Sequence, residues 1–213
     1  MFRRQIIRRC STLAAIFAIA FVVQMARSAD QPAKTPDQAK AEQMKMMEDY
    51  TKAAAPGPEH ERLKEFAGEW NAALKSWMPD GSPCGTGKGV MTNKMILGDR
   101  YLHMSFEATM TGPDGSAMPF KGMGISAYDK GKKKYTGVWI DEMSTGMMVS
   151  EGTCNGNVMS CEGEFTDPVS GKPTKTKETS TKVDKDNYKY ELHMQGPDGK
   201  MYKCMEIAYS RKM

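Results

Sequence analysis

The chain has 213 residues, 39% of them hydrophobic and 26% charged, with a formal net charge of +4. Much of that excess lies in the opening MFRRQIIRRC, so the remainder is close to neutral and offers no basic surface for nucleic acid or an anionic membrane. The length suits one domain with a substantial core and excludes two comfortable ones.

Arg3, Arg4, Arg8 and Arg9 precede an apolar run over residues 13–23 that gives way to polar sequence at Gln24. The pattern is that of a secretory signal peptide over residues 1–28, with an apolar region too short to span a membrane. Ala26-Arg27-Ser28 places small residues where a signal peptidase reads, so cleavage is expected after Ser28. Cys10 comes before the apolar run, where a lipoprotein cysteine would follow it, and lipid attachment is not expected. Arg3-Arg4-Gln5-Ile6-Ile7 loosely resembles a twin-arginine signal, which leaves the export route open. The expected location is periplasmic or secreted, with no membrane-spanning segment after the leader is removed.

Residues 29–37 read as a polar tether and 38–55 as a helix with Met44, Met47 and Tyr50 near one stripe, stopped by Pro56-Gly57-Pro58. A second short helix is expected over 59–66, bringing Leu63 and Phe66 together. From Gly68 the periodicity changes to alternation. Strands are expected over 69–78, 88–96, 101–110, 119–128, 134–142, 147–154, 157–167, 173–183, 188–195 and 200–210. Three connections carry the same Pro-Asp-Gly signal, ending at Gly81, Gly115 and Gly199. None of the connections is long enough for a crossover helix, so neighbours pair antiparallel. An up-and-down antiparallel barrel of about ten strands leaves no open edge, and it is the expected architecture over residues 57–213, with linker and helix over 29–56.

The last hairpin suggests its own register. With Gln195 facing Lys200, Met194 meets Met201, Tyr190 meets Met205 and Tyr188 meets Ile207 on an apolar face, while His193 lies opposite Tyr202 on the polar one. By the same parity His103 opposes Leu102, Met104 and Phe106 and faces solvent, and His60 sits on a helix outside the barrel. A haem or zinc site needs converging inward ligands, so no cofactor and no metal are expected. The methionines could serve copper through soft thioethers, but most fall where a core or pocket lining is expected.

Cys84, Cys154, Cys161 and Cys204 follow the leader, an even number in an oxidising compartment. An Asn155-Gly156 turn puts Cys154 opposite Asn157 and Cys161 on the same face roughly 13 Å away at about 3.3 Å per residue. A disulfide spans at most roughly 7 Å between Cα atoms. That pair is therefore not expected to bond; a disulfide would involve Cys84 or Cys204, with free buried thiols as the alternative.

Gly137 to Gly146 is the densest polar-aromatic patch, and no Gly-x-Ser-x-Gly elbow or inward base accompanies Ser144. Its Ser144 end reads as a turn whose backbone donors Asp141 satisfies, so enzymatic activity is not the expectation. The lysine-rich, threonine-rich stretch over 172–185 reads as a solvated edge strand protected by its charges.

Gly68-Glu69-Trp70 resembles the Gly-x-Trp signature of lipocalins, in which the Trp plugs the barrel bottom under an Arg from the last strand; Arg211 stands where that Arg would be. The second lipocalin signature, Thr-Asp-Tyr, is absent, so the resemblance implies the wider calycin architecture. Gly57-Pro58-Glu59-His60 through Gly68-Glu69-Trp70, Met95 to Leu102, Gly124 to Asp129, Trp139 to Met147 and Met205 to Arg211 are similar to the family catalogued as domain of unknown function 1579. That resemblance implies a calycin-like barrel in exported bacterial proteins and brings no catalytic residues. Strand number also resembles the nitrobindins, whose haem needs an inward proximal His that parity denies here. The expected function is binding of a small apolar or amphipathic ligand, with Trp70, Tyr128, Trp139 and Met148 as lining or plug and Asp141 and Arg100 as polar groups near an opening. A barrel packed throughout, acting as a structural or interaction protein, is the alternative.

Overall fold

The computed structural model describes residues 34–112 and 114–213, so the leader expected over residues 1–28 lies outside the described residues. The chain divides between Lys52 and Ala53 into two compact units. The first holds most of helix α1, Pro36–Ala53, none of whose residues is buried. No helix among the described residues is long and apolar enough to cross a membrane.

The second unit is a closed antiparallel barrel of ten strands preceded by helix α2, Pro58–Lys64. The strands are β1 (Gly68–Trp77), β2 (Pro83–Ile96), β3 (Tyr101–Thr111), β4 (Ala117–Asp129), β5 (Lys134–Asp141), β6 (Met148–Asn155), β7 (Val158–Thr166), β8 (Pro173–Lys182), β9 (Asn187–Gln195) and β10 (Met201–Arg211). Each pairs with its sequence neighbours and β1 closes on β10, from Trp70 opposite Arg211 to Ser76 opposite Met205. In β1 buried Trp70, Ala72 and Leu74 alternate with exposed residues, the period-two signal that marked the strand. Closure overturns the edge reading of residues 172–185: β8 is paired along both sides, by β7 and β9.

With every connection a hairpin, alternate loops fall at opposite ends. The three Pro-Asp-Gly turns join β1 to β2, β3 to β4 and β9 to β10, so all stand on one rim. They share a construction. Asp80, Asp114 and Asp198 each accept, through Oδ1, the backbone N–H two residues on, and Gly81, Gly115 and Gly199 hold φ of 83°, 81° and 80°. Such left-handed geometry favours glycine, and the carboxylate replaces the missing ladder bond.

The opposite end, the base, is corked. Leu63 of α2, 1% exposed, packs with Leu102 and Tyr135, and Phe66 contacts both apolar clusters of the core. His60 is buried here rather than outside the barrel: its Nδ1 accepts the Gly57 N–H at 3.0 Å and its ring stands edge-on to Tyr128. Arg211 locks the cork. Its guanidinium lies 4.0 Å over the Trp70 ring and donates to the carbonyls of Ala67, Glu65 and Lys185 and to Asp186. Gly68 has a φ of 120°, and a Cβ there would come within 2.7 Å of Arg211 Nη1. The Gly-x-Trp spacing is thus the shape of this clasp.

Two registers differ from expectation. In the last hairpin Met201 faces Gln195, and a bulge near Cys204 shifts the ladder so that Ile207 faces Tyr190 and Tyr209 faces Tyr188. The apolar face survives with Tyr202 in place of Met201, which is 45% exposed, and His193 lies opposite Lys203 rather than Tyr202. In the β6–β7 hairpin Gly156 rather than Asn155 takes the first turn position at φ 55°, with Asn155 facing Val158. Glycine meets that positive φ without a Cβ penalty. The slip brings Cys161 opposite Gly152, two residues from Cys154 on the same face, a diagonal neighbour rather than roughly 13 Å away. All four described cysteines are free thiols.

Candidate functional site

The inward side chains divide the lumen into two unlike halves. Around β1, β3, β9 and β10 the inner wall is a packed apolar core of Trp70, Leu74, Phe106, Tyr188, Ile207 and Tyr209. Midway along β5 to β8 it is small and polar, between Trp139 and Phe165 toward the rim and Tyr135 toward the base. One inner rung runs Ser126, Gly137, Ser150, Gly163, Thr176, each opposite the next across the ladder. The next rung places Glu178 between Cys161 and Leu192. Large side chains on one wall and glycines on the other give an asymmetric interior.

Glu178 is the unusual member. Tyr190 donates its hydroxyl to Glu178 Oε2 at 3.1 Å, but Glu178 Oε1 and the Thr176 Oγ1 are buried without a hydrogen-bond partner. Burial raises the Glu178 carboxyl above its ordinary range, with the Ser150 and Tyr190 hydroxyls pulling the other way. Burial likewise drives the Tyr190 phenol well up, yet Tyr190, Glu178, Cys161 and Leu192 keep solvent-accessible area midway along the barrel. The glycines keep this wall thin: a Cβ on Gly163 would lie 2.9 Å from Thr176 Oγ1, and one on Gly137 3.3 Å from Ser150 Oγ.

Of the residues expected to form the site, Trp139, Asp141 and Met148 gather near the rim. Trp139 faces Met148 across the β5–β6 ladder, its indole N–H donates to Asp141 Oδ2 at 2.9 Å, and Asp141 Oδ1 accepts the Met143 N–H at 2.9 Å. Gly122 and Gly124 make room for that indole, which a Cβ on Gly122 would approach within 2.4 Å. The other three lie at the base. Trp70 is the plug, 2% exposed, its indole donating to the Phe66 carbonyl. Tyr128 packs against Tyr135 and His60. Arg100 is not at an opening: it donates to the carbonyls of Ala54, Leu97 and Gly98, steadying a loop in which Leu97, Gly98 and Asp99 all have positive φ.

His103, opposite Lys94 and Ile125, and His193, between Lys177 and Lys203, lie on the outer face. No group of three or more His, Cys, Asp or Glu able to hold a metal occurs among the described residues. Two concavities border the ends: an open rim groove of about 390 Å³ between Pro79-Asp80 and Pro197-Asp198, reaching Tyr202, and a space of about 10 Å³, room for one water, beside Phe66, Trp70 and Tyr188 at the base.

A family model described as Protein of unknown function (DUF1579) matches residues 55–211, the barrel with its cork. The chain belongs to the DUF1579 family. No curated protein matches it. Among solved structures, Rv2717c from M. tuberculosis is similar with a TM-score of 0.53 and 14% identity, over 75% of this chain and 100% of that one. The likeness extends to the barrel fold alone. A de novo designed fluorescence-activating β-barrel has a TM-score of 0.40 and 13% identity over 70% of this chain and 96% of the design. A redesigned barrel, mFAP1, bound to DFHBI, has a TM-score of 0.38 and 13% identity over 70% and 97%. At these scores neither likeness carries an argument about this chain.

Sequence reasoning missed Glu178, Thr176 and Ser150. The signal was present, since Thr174, Thr176, Glu178 and Ser180 alternate with Lys175, Lys177 and Thr179. An acid among hydroxyls does not look like a core, so the eye follows the lysines.

Proposed function

We propose that this DUF1579 barrel is an exported binding protein that takes a small, largely apolar molecule into its lumen through the Pro-Asp-Gly rim. The observation that carries the reading is the set of inward yet partly accessible side chains midway along the barrel, Cys161, Glu178, Tyr190 and Leu192, beside a packed apolar core and inside a barrel corked at the other end. Concave, mostly apolar sites with few polar groups are how small ligands are held. Trp139, Met148 and Asp141 sit where an entering molecule passes, and flexible methionines such as Met110, Met118 and Met194 line the rim end of the lumen on β3, β4 and β9 and adapt to its shape. A barrel packed throughout would suit the apolar half but would leave Glu178 and Thr176 buried for nothing.

Native mass spectrometry of the protein purified from its own host tests binding. A complex heavier than the chain, with the molecule released on unfolding, is expected; bare chain only, with no apolar probe retained on incubation, overturns the reading. For export, N-terminal sequencing of the same sample is expected to begin after Ser28, and a retained leader in the processed cell fraction refutes it.

A further inference from the structure

We propose that the ligand of this lumen carries a cationic amine, seated against Glu178, Thr176 and Ser150. The inference rests on the lumen-binding reading and specifies its chemistry. Two buried acceptors on one wall, Glu178 Oε1 and Thr176 Oγ1, have no partner. The one phenolic proton within reach, that of Tyr190, is already given to Glu178 Oε2. The inward neighbours of Glu178 are Cys161 and Leu192 across the ladder, Thr176 and Ser180 along the strand, and Ser150 and Tyr190 beside it, none of them cationic. Lys182, two places further along the same face, is drawn to the base by Glu65. A largely buried carboxylate without a cation is unfavourable, and an ion pair with good hydrogen bonds offsets that cost.

An ammonium group carries three donors and no acceptor. Glu178, Thr176 and Ser150 supply three oxygens on adjoining rungs, the two hydroxyls buried beside Gly137 and Gly163. Any side chain at Gly163 would sit on Thr176 Oγ1, at 2.9 Å for the Cβ alone. Glu178 is five residues inside the rim end of β8 at Pro173, roughly 12 Å deep for a tilted strand. A head group there directs its apolar tail past Met194 and Phe165 toward the rim.

Calorimetric titration of the purified protein with n-decylammonium, 1-decanol and decanoate, each below its aggregation concentration, tests this. Decylammonium is expected to bind at least about tenfold more tightly than decanol, with decanoate weakest. Glu178→Gln, close to isosteric, should bring decylammonium level with decanol. Thr176→Val should cost the amine about fivefold, one hydrogen bond's worth, and thermal unfolding of both variants confirms that they fold. Equal affinity for the three head groups, a preference for decanoate, or an amine preference that survives Glu178→Gln overturns the amine while leaving lumen binding intact. Failure of all three to bind overturns both.

Discussion

Replacing Arg211 should loosen the base of the barrel out of proportion to the exposure of this side chain. Arg211 touches five partners: the Trp70 ring at 4.0 Å, the carbonyls of Ala67 at 3.0 Å, Lys185 at 3.2 Å and Glu65 at 3.4 Å, and Asp186 at 3.2 Å. The side chains of the Asp186 pair are 31% and 46% exposed, so the ion pair contributes less than about 1 kcal/mol. The cation over the indole adds about 0.5–2 kcal/mol, and the carbonyl bonds, partly hydrated, about 1 kcal/mol together after water replaces them. Arg211→Met keeps the apolar stem and should cost about 2–3 kcal/mol, a fall of about 5–10 °C in Tm for a domain of this size. Arg211→Lys should recover less than half of that, because a point charge cannot span carbonyls from two segments while lying flat on a ring. Urea and thermal unfolding of the three chains measure it. A lysine variant within about 0.5 kcal/mol of the parent would refute the clasp, since charge alone would then suffice.

Glu178 should give stability a characteristic pH slope. Its folded pKa is raised by burial, so the native state holds this proton more tightly than the unfolded chain, and stability falls as pH rises from the ordinary glutamate value of about 4.3 through the raised one. Asp80, Asp114 and Asp167 are lowered and slope the opposite way at acid pH, so the check is the difference between wild type and Glu178→Gln, which should grow with pH in that window; parallel curves would contradict the burial. Gly163→Ala should cost about 1–3 kcal/mol by overpacking, because its Cβ would meet the Val149 carbonyl at 2.7 Å; a neutral or stabilised variant in urea unfolding would show that wall to be looser than described. Iodoacetamide on the folded protein should label exposed Cys84 first and spare Cys161 and Cys204, whose thiols burial pushes up to about 12; peptide mapping that finds Cys161 labelled as fast as Cys84 would count against its desolvation.

The amino-acid sequence by itself determined the barrel. Alternation, short connections and repeated turns are local, and ten hairpin-linked strands have few arrangements that leave no edge. Gly68, Trp70 and Arg211 were legible as a plug because close approach of an arginine to a backbone demands glycine at a fixed spacing. Only the tertiary structure decided which end is open, since a strand reads the same from rim or base; hence Arg100 and Tyr128 fell at the cork while Trp139, Asp141 and Met148 fell at the rim. It also decided register, where one bulge near Cys204 and one turn starting at Gly156 re-paired residues that pattern alone had matched, and it brought Cys154 and Cys161 together. Above all it turned Glu178 inward. On a lone strand, threonines and an acid among lysines suit solvent on both faces, and only closure between β7 and β9 leaves one of those faces without water.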